Sequence, residues 1–130
     1  LYPDYFVQDI GNFECIYAVK DLFKNKNILD VCAAPGGKSI LLSSYGFVVD
    51  AIDKSSSQIK KFKDNVNRLN LGLEIVQGDF LTTTFTKKYE SILLDAPCSA
   101  LGTFRRNPDV ASKIDEKKLL SNQKIQVAMI

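Results

Sequence analysis

Histidine is absent from this sequence, cysteine occurs only at Cys15, Cys32 and Cys98, and no two of these share the C-x-x-C spacing of a metal knuckle. Those shortages argue against a zinc site and a disulfide framework, and they fit a reducing, cytoplasmic setting. No apolar run approaches the roughly 20 residues that a membrane span needs. Leu1 to Asp9 also lacks the charged-then-apolar pattern of a signal peptide. The expectation is therefore a protein with no membrane segment and no metal. A charge excess of one sign is missing too, since 17 Lys and Arg stand against 15 Asp and Glu for a net charge of +2. Affinity for a polyanion has to come from a local site rather than from overall charge. What is present is 130 residues, 45% of them hydrophobic, with no repeat or linker, enough for one domain spanning residues 1–130. The chain opens at Leu1 instead of Met and stops at Met129-Ile130 in an apolar stretch with no helix-stop residue, so it reads as an excerpt truncated at its carboxyl end.

Apolar periodicity switches repeatedly between strand-like and helix-like patterns, which predicts an α/β domain. Phe13, Ile16, Tyr17, Leu22 and Phe23 suit a first helix, and Asn27 to Cys32 a buried strand. A helix starts near Gly37, a second strand covers Phe47 to Ile52, and Ser55 caps a helix with Ile59, Phe62, Val66 and Leu69 at helical spacing. Leu73 to Val76 and Tyr89 to Leu94 give two more strands, and Asp115 opens a last helix using Leu119, Leu120, Gln123 and Val127. Strands separated by single helices require right-handed parallel crossovers, so the predicted fold is a Rossmann-like, doubly wound, mainly parallel sheet. In such a sheet the first and fourth strands are neighbours, the order reverses between them, and ligands bind beyond their carboxyl ends.

The least ordinary residues follow those two strands. Cys32-Ala33-Ala34-Pro35-Gly36-Gly37-Lys38 is a tight, small-residue turn into a helix, which lets a nucleotide-like ligand approach the backbone. Gly37-Lys38-Ser39 imitates a phosphate loop, but Cys32 occupies the place of its first glycine, and the G-x-G-x-x-G spacing is missing as well. Asp53 ends the second strand where such folds bind a ribose; taken alone it reads as a turn or helix-cap residue, and the upstream loop tips the balance. Asp79, in Gln77-Gly78-Asp79-Phe80, suits an adenine amino group, although Gly-Asp pairs also mark ordinary turns. Asp95-Ala96-Pro97-Cys98-Ser99 fixes the backbone after the fourth strand and holds Cys98 at a cleft mouth, against the alternative of a small buried hydrophobe. Burial is the expected role of Cys15 and Cys32. Lys60, Lys61, Lys63, Lys117 and Lys118 read as solvated faces, whereas Arg105 and Arg106 suit phosphate contacts.

Asp30 to Ser39, Asp95 to Ser99, Leu101-Gly102-Thr103-Phe104-Arg105-Arg106-Asn107-Pro108-Asp109 and Val7-Gln8-Asp9 together resemble the Nol1/Nop2/Sun RNA 5-methylcytosine methyltransferases. The Arg-Arg-x-Pro-Asp run is most similar to the bacterial Sun, or RsmB, branch, which acts on small-subunit ribosomal RNA. The resemblance implies a class I methyltransferase fold. It implies S-adenosylmethionine held by Cys32, Ala33, Ala34, Pro35, Gly36, Gly37, Lys38, Asp53, Asp79 and Asp95. It also implies chemistry at Cys98, Asp95 and Lys38, with RNA as the partner. Asp95 would face nitrogen 3 and the exocyclic amine of cytosine, and Cys98 would match the cysteine that assists product release. The attacking cysteine of the family lies in a later Thr-Cys motif that residues 1–130 do not contain, so this chain is expected to be inactive alone. A cofactor-binding domain without catalysis and an exocyclic-nitrogen methyltransferase are the competing readings, followed by a DNA cytosine methyltransferase.

Overall fold

The computed structural model describes residues 5–113 and 115–130. It divides into two compact units, Leu1–Asp95 and Ala96–Ile130. Of the stretch Leu1 to Asp9, over which the absence of a signal pattern is read, Leu1 to Asp4 lie outside the described residues.

In the first unit, α1 (Ile10–Val19) and a short 3-10 turn lead into β1 (Asn27–Val31), α2 (Gly37–Ser44), β2 (Val48–Asp53), α3 (Ser56–Arg68), β3 (Glu74–Gln77) and β4 (Ser91–Leu94). All pairings are parallel in the order β3-β2-β1-β4. The register Asp30↔Ala51 and Asp30↔Leu93 brings the carboxyl ends of β2, β1 and β4 to one level. The order reverses between β1 and β4, as the crossover rule predicts.

Burial explains the elements. Ile28, Leu29 and Val31 of β1 are buried, as are Val49, Ala51 and Ile52 of β2. Ile59, Phe62 and Val66 point one stripe of α3 at the sheet, while Ser55 caps its start by accepting from the Gln58 N–H at 3.4 Å. One cluster joins Ile16 of α1, Leu41 and Leu42 of α2, Ile28 and Val49; a second joins Phe62 and Val66 of α3 to Ala51 and Ala33. Val49 and Ala51 are two residues apart on one strand, so α1, α2 and α3 cover the same face of the sheet. On the other face, Asp50 accepts from Lys87 Nζ at 2.8 Å and from the Tyr89 hydroxyl at 2.9 Å. Lys87 holds the Asp50 carboxyl below its usual range, and burial together with the bond to Asp50 pushes the Tyr89 phenol up to about 12.

α1 is where the packing departs from expectation. Ile16 is its one buried side chain, whereas Phe13, Tyr17, Leu22 and Cys15 are exposed. Helical spacing was right for Phe13, Ile16 and Tyr17, whereas Leu22 lies on the 3-10 turn and Phe23 beyond it in extended backbone; Cys15, expected to be buried, is exposed.

In the second unit, short 3-10 turns over Leu101–Thr103 and Pro108–Lys113 precede α4 (Glu116–Met129), capped by Asp115, whose side chain accepts from the Lys117 N–H at 3.1 Å. α4 forms where Asp115 predicts it, yet Leu119, Leu120 and Val127 are exposed instead of lining a core. Among the described residues no helix is long and apolar enough to cross a membrane, and no cluster of His, Cys, Asp and Glu could hold a metal.

Candidate functional site

The turn after β1 is built from backbone constraints. Cys32 has φ +60°, the Ala34–Pro35 bond is cis, and Gly36 has φ +107°. A Cβ on Gly36 would meet Phe62 Cδ2 at 2.9 Å, so α3 packs directly against the place where a side chain would be. Gly36 N–H donates to the Ala33 carbonyl at 2.9 Å, the Asn65 amide donates to the Pro35 carbonyl at 3.2 Å, and Ala33 N–H donates to Ile52 O at 3.2 Å. The small residues Cys32 to Gly37 are thus fixed by neighbours on β2 and α3.

Asp53, at the end of β2, sits behind this turn. Its Oδ2 accepts from Ala34 N–H at 3.1 Å and its Oδ1 from Ser55 N–H at 2.8 Å. Asp53 thus takes the turn role, the cap of α3 being Ser55; an ionised carboxylate has about four lone-pair directions, and two backbone donors leave part of that capacity unused. Gly78 N–H donates to the Asp53 carbonyl at 3.0 Å, which brings the loop after β3 alongside. Asp79 closes its own turn, with Oδ1 accepting from Leu81 N–H at 3.0 Å.

Lys38, in the first turn of α2, reaches Asp95 at the end of β4, with Nζ 2.7 Å from Oδ2. Asp95 N–H itself donates to Val31 O at 3.3 Å, continuing the ladder from β1. The structure therefore brings Lys38 and Asp95 together at the switch point, with Asp53 at the end of the adjoining strand β2. The other oxygen of Asp95 has no hydrogen-bond partner among the described residues, and its side chain is 56% exposed. Cys98, three residues further along, is exposed, so it is not the small buried hydrophobe of the competing reading. Within its own unit its Sγ accepts from Ala100 N–H at 3.3 Å and lines a cavity of about 150 Å³ with Ala100, Val110 and Leu119. Cys32 is half-buried rather than packed in the core, and burial, reinforced by Asp53 and Asp95, pushes its thiol up to about 11. A thiol so held stays protonated at neutral pH and is no nucleophile.

Two further groups escape sequence reasoning. Asp30 is fully buried beneath the turn, its Oδ2 accepting from the Ser39 hydroxyl while its Oδ1 has no partner among the described residues. Burial raises its carboxyl to about 7, against the lowering effect of the Ser39 bond and of Lys38. A lone Asp within the apolar run Ile28-Leu29-Asp30-Val31 was the available signal. Asn12 of α1 accepts from Lys38 Nζ at 3.1 Å. No local pattern announces a contact between residues 26 positions apart.

The comparisons with known proteins agree with this architecture. Residues 18–130 match the family described as 16S rRNA methyltransferase RsmB/F. The chain is similar to ribosomal RNA small subunit methyltransferase B of Serratia proteamaculans, at 42% identity over 109 residues, covering 80% of this chain and 25% of that protein. The same enzyme of Photorhabdus laumondii is 40% identical over the same coverage. Among solved structures, NSun6 from Pyrococcus horikoshii matches with a TM-score of 0.69 and 33% identity over 78% of this chain and 27% of that one. The chain thus spans about a quarter of the length of the curated relatives it matches. On the extent of the family match and the identity of these relatives, the chain belongs to the RsmB/F family of 16S rRNA methyltransferases.

Proposed function

We propose that this chain serves the transfer of a methyl group from S-adenosylmethionine to carbon 5 of a cytosine in small-subunit ribosomal RNA. The observation that carries the reading is the Lys38–Asp95 pair at the carboxyl ends of β1 and β4. The donor set fits the cofactor: Asp53 is a half-buried carboxylate with spare lone pairs for ribose hydroxyls, and Asp79 lies on the adjoining loop for the adenine amine. Cys32, Ala33, Ala34, Pro35, Gly36 and Gly37 present backbone with little side-chain bulk. When bound, the cofactor supplies an electrophilic methyl group on a sulfonium.

Carbon 5 of cytosine becomes nucleophilic only after a thiolate adds to carbon 6, and that addition places electron density on nitrogen 3 and the exocyclic amine. The free oxygen of Asp95 suits that edge of the base, as a hydrogen-bonding or proton-carrying group. Lys38 anchors the other oxygen and offsets its charge. None of Cys15, Cys32 and Cys98 follows a threonine, so the attacking thiol of the family motif is not supplied by residues 1–130, and Cys98 takes the release role. Arg105 and Arg106, both exposed, suit backbone phosphates of the RNA. The setting implied for such an enzyme is the cytoplasm, where ribosomal RNA is found.

The test is methyl transfer by the full-length protein to small-subunit RNA, followed by nucleoside mass spectrometry. 5-Methylcytidine is expected; a methyl on the exocyclic nitrogen, or none on cytidine, overturns the reading. Cys98→Ala in the same protein is expected to trap a covalent protein–RNA adduct on a denaturing gel. The 130-residue chain alone is expected to transfer no methyl group.

A further inference from the structure

Lys38 Nζ has two partners that reach it from opposite sides in sequence: Asp95 Oδ2 at 2.7 Å and Asn12 Oδ1 at 3.1 Å. Asn12 owes its place to the cap of α1. Asp9 accepts from Gly11 N–H at 3.0 Å with its side chain and from Asn12 N–H at 3.1 Å with its carbonyl, which fixes the first turn of the helix. The segment before it closes over the start of α2. A Cβ on Gly37 would meet Gln8 Oε1 at 3.3 Å, Phe6 at 3.6 Å and Asn12 Nδ2 at 3.9 Å, so the glycine is what lets α1 approach. The Lys38 side chain is left 18% exposed, beside an Asp95 that is 56% exposed.

The chemistry of the two partners differs in a useful way. A lysine ammonium is a compact charge on a long, freely rotating stem, and it carries three donors. A single carboxylate partner in contact with water does not hold such a group in one place. An amide oxygen supplies a second fixed point without neutralising the charge, so the full positive charge remains for Asp95. A carboxylate at position 12 would instead compete with Asp95.

We propose that Asn12 is a positioning residue, which holds Lys38 against Asp95 and thereby sets the direction of the free Asp95 oxygen. The inference rests on the reading of Lys38 and Asp95 as part of the methyl-transfer site, and it adds that the first turn of α1 belongs to that site's support.

The experiment compares Asn12→Ala, Lys38→Ala and the double variant in the full-length protein. Asn12→Ala is expected to lower kcat about tenfold, the effect of losing one hydrogen bond to a charged group. Cofactor affinity by calorimetry is expected to stay within about twofold, because Asn12 acts on Lys38 and not on the ligand. In the Lys38→Ala background, Asn12→Ala is expected to cost nothing more, whereas a merely structural role gives additive losses. A second readout needs no catalysis: competitive acylation followed by mass spectrometry, in which Asn12→Ala is expected to raise labelling of Lys38 relative to the exposed Lys60 and Lys61. If the alanine variant is unstable, Asn12→Gln, which misplaces the same amide, takes its part. Loss of transfer in Lys38→Ala with full activity in Asn12→Ala, or additive losses, overturns the positioning role and leaves the proposed function standing. Full activity in Lys38→Ala overturns the catalytic assignment of Lys38, and the acylation rates then decide the contact alone, unchanged labelling overturning it.

Discussion

Every fully buried side chain among the described residues belongs to the unit Leu1–Asp95, and the unit Ala96–Ile130 has none. The first unit orders its backbone by burying strands and one stripe of α3, and its turns are consequences of that packing. In the second, the order comes from hydrogen bonds, some local and some not: Thr103 Oγ1 donates to Ala100 O at 2.8 Å, Asp115 caps α4, and Gln126 Nε2 of α4 donates to the distant Pro97 O at 2.8 Å. Hydrogen bonds of this kind each contribute only about 0.5–1.5 kcal/mol net, so they give geometry more than stability. The difference matters for function. The small-residue turn, Asp53, Lys38 and Asp95 stand on the buried framework, whereas Cys98, Arg105 and Arg106 stand on the segment without a buried core.

The largest expected effect tests the buried framework directly. Phe62→Ala removes a side chain with no exposed surface, against which Gly36 is packed, and is expected to cost about 3–5 kcal/mol in denaturant unfolding. The same cavity withdraws the support of the turn proposed to hold the cofactor, so cofactor affinity is expected to fall in the variant at temperatures where it is still folded. A cost under about 1 kcal/mol, the range of ordinary surface changes, would break the comparison.

The same contrast explains what was legible in the sequence. Asn27 to Cys32 and Phe47 to Ile52 read as strands because burial on both faces leaves an apolar run closed by turn residues, and the observed β1 and β2 begin or end within one residue of those bounds. The site's two loops followed from topology, since parallel crossovers place the ends of β1 and β4 side by side. The fourth strand starts at Ser91 rather than Tyr89, because its ladder with β1 begins at the pair Ile28↔Ser91. Periodicity also identified α1 and α4 but could not say how much of each apolar stripe would be covered, which is why Cys15 and Leu120 were misread, nor that α1 stops at Val19, which leaves Leu22 on a 3-10 turn. Asn12 was invisible for a different reason: its role comes from a long-range contact that the cap at Asp9 makes possible and that no spacing encodes.

Next in size is a pH effect confined to the buried framework. Asp30 has an ordinary value of 3.8 that the fold raises to about 7. Below the lower value both folded and unfolded chains hold the proton, and Asp30 costs nothing. As pH rises through the window from 3.8 to about 7, the unfolded chain releases its proton first, so stability declines until the folded carboxyl also ionises. At 1.36 kcal/mol per unit the full loss is about 4 kcal/mol. Asp30→Asn is expected to flatten the decline in unfolding midpoint between pH 4 and pH 8. An identical slope in wild type and variant would show that Asp30 ionises as easily when folded as when unfolded.

Asp53 gives a smaller effect that sharpens the comparison, because its two backbone bonds belong to the framework and its remaining lone pairs to the ligand. Asp53→Ala is expected to weaken S-adenosylmethionine binding by roughly 1.5–3 kcal/mol in calorimetry, the cost of losing a charged acceptor. NAD and ATP are expected to bind less tightly than the methyl donor in every variant, since the turn lacks both of their phosphate-binding patterns. An unchanged affinity removes Asp53 from the ribose site and leaves it only as the acceptor for the Ala34 and Ser55 N–H groups.

The smallest expected effect lies in the second unit. Leu120 sits in the second turn of α4 with 51% of its surface exposed. Truncating it to alanine removes little buried area, and alanine is the better helix former, so the two contributions oppose each other. Leu120→Ala is therefore expected to change the stability of this chain by no more than about 0.5 kcal/mol. Phe62→Ala and Leu120→Ala remove apolar side chains from helices that the sequence marks in the same way, by apolar residues at helical spacing and a capping Ser or Asp. Their ratio thus measures how far coverage, and not pattern, sets the energy. Thermal and denaturant unfolding of the two variants side by side gives that ratio. A cost of several kcal/mol for Leu120→Ala would mean that α4 is packed in solution as firmly as α3, and the contrast between the two units would collapse.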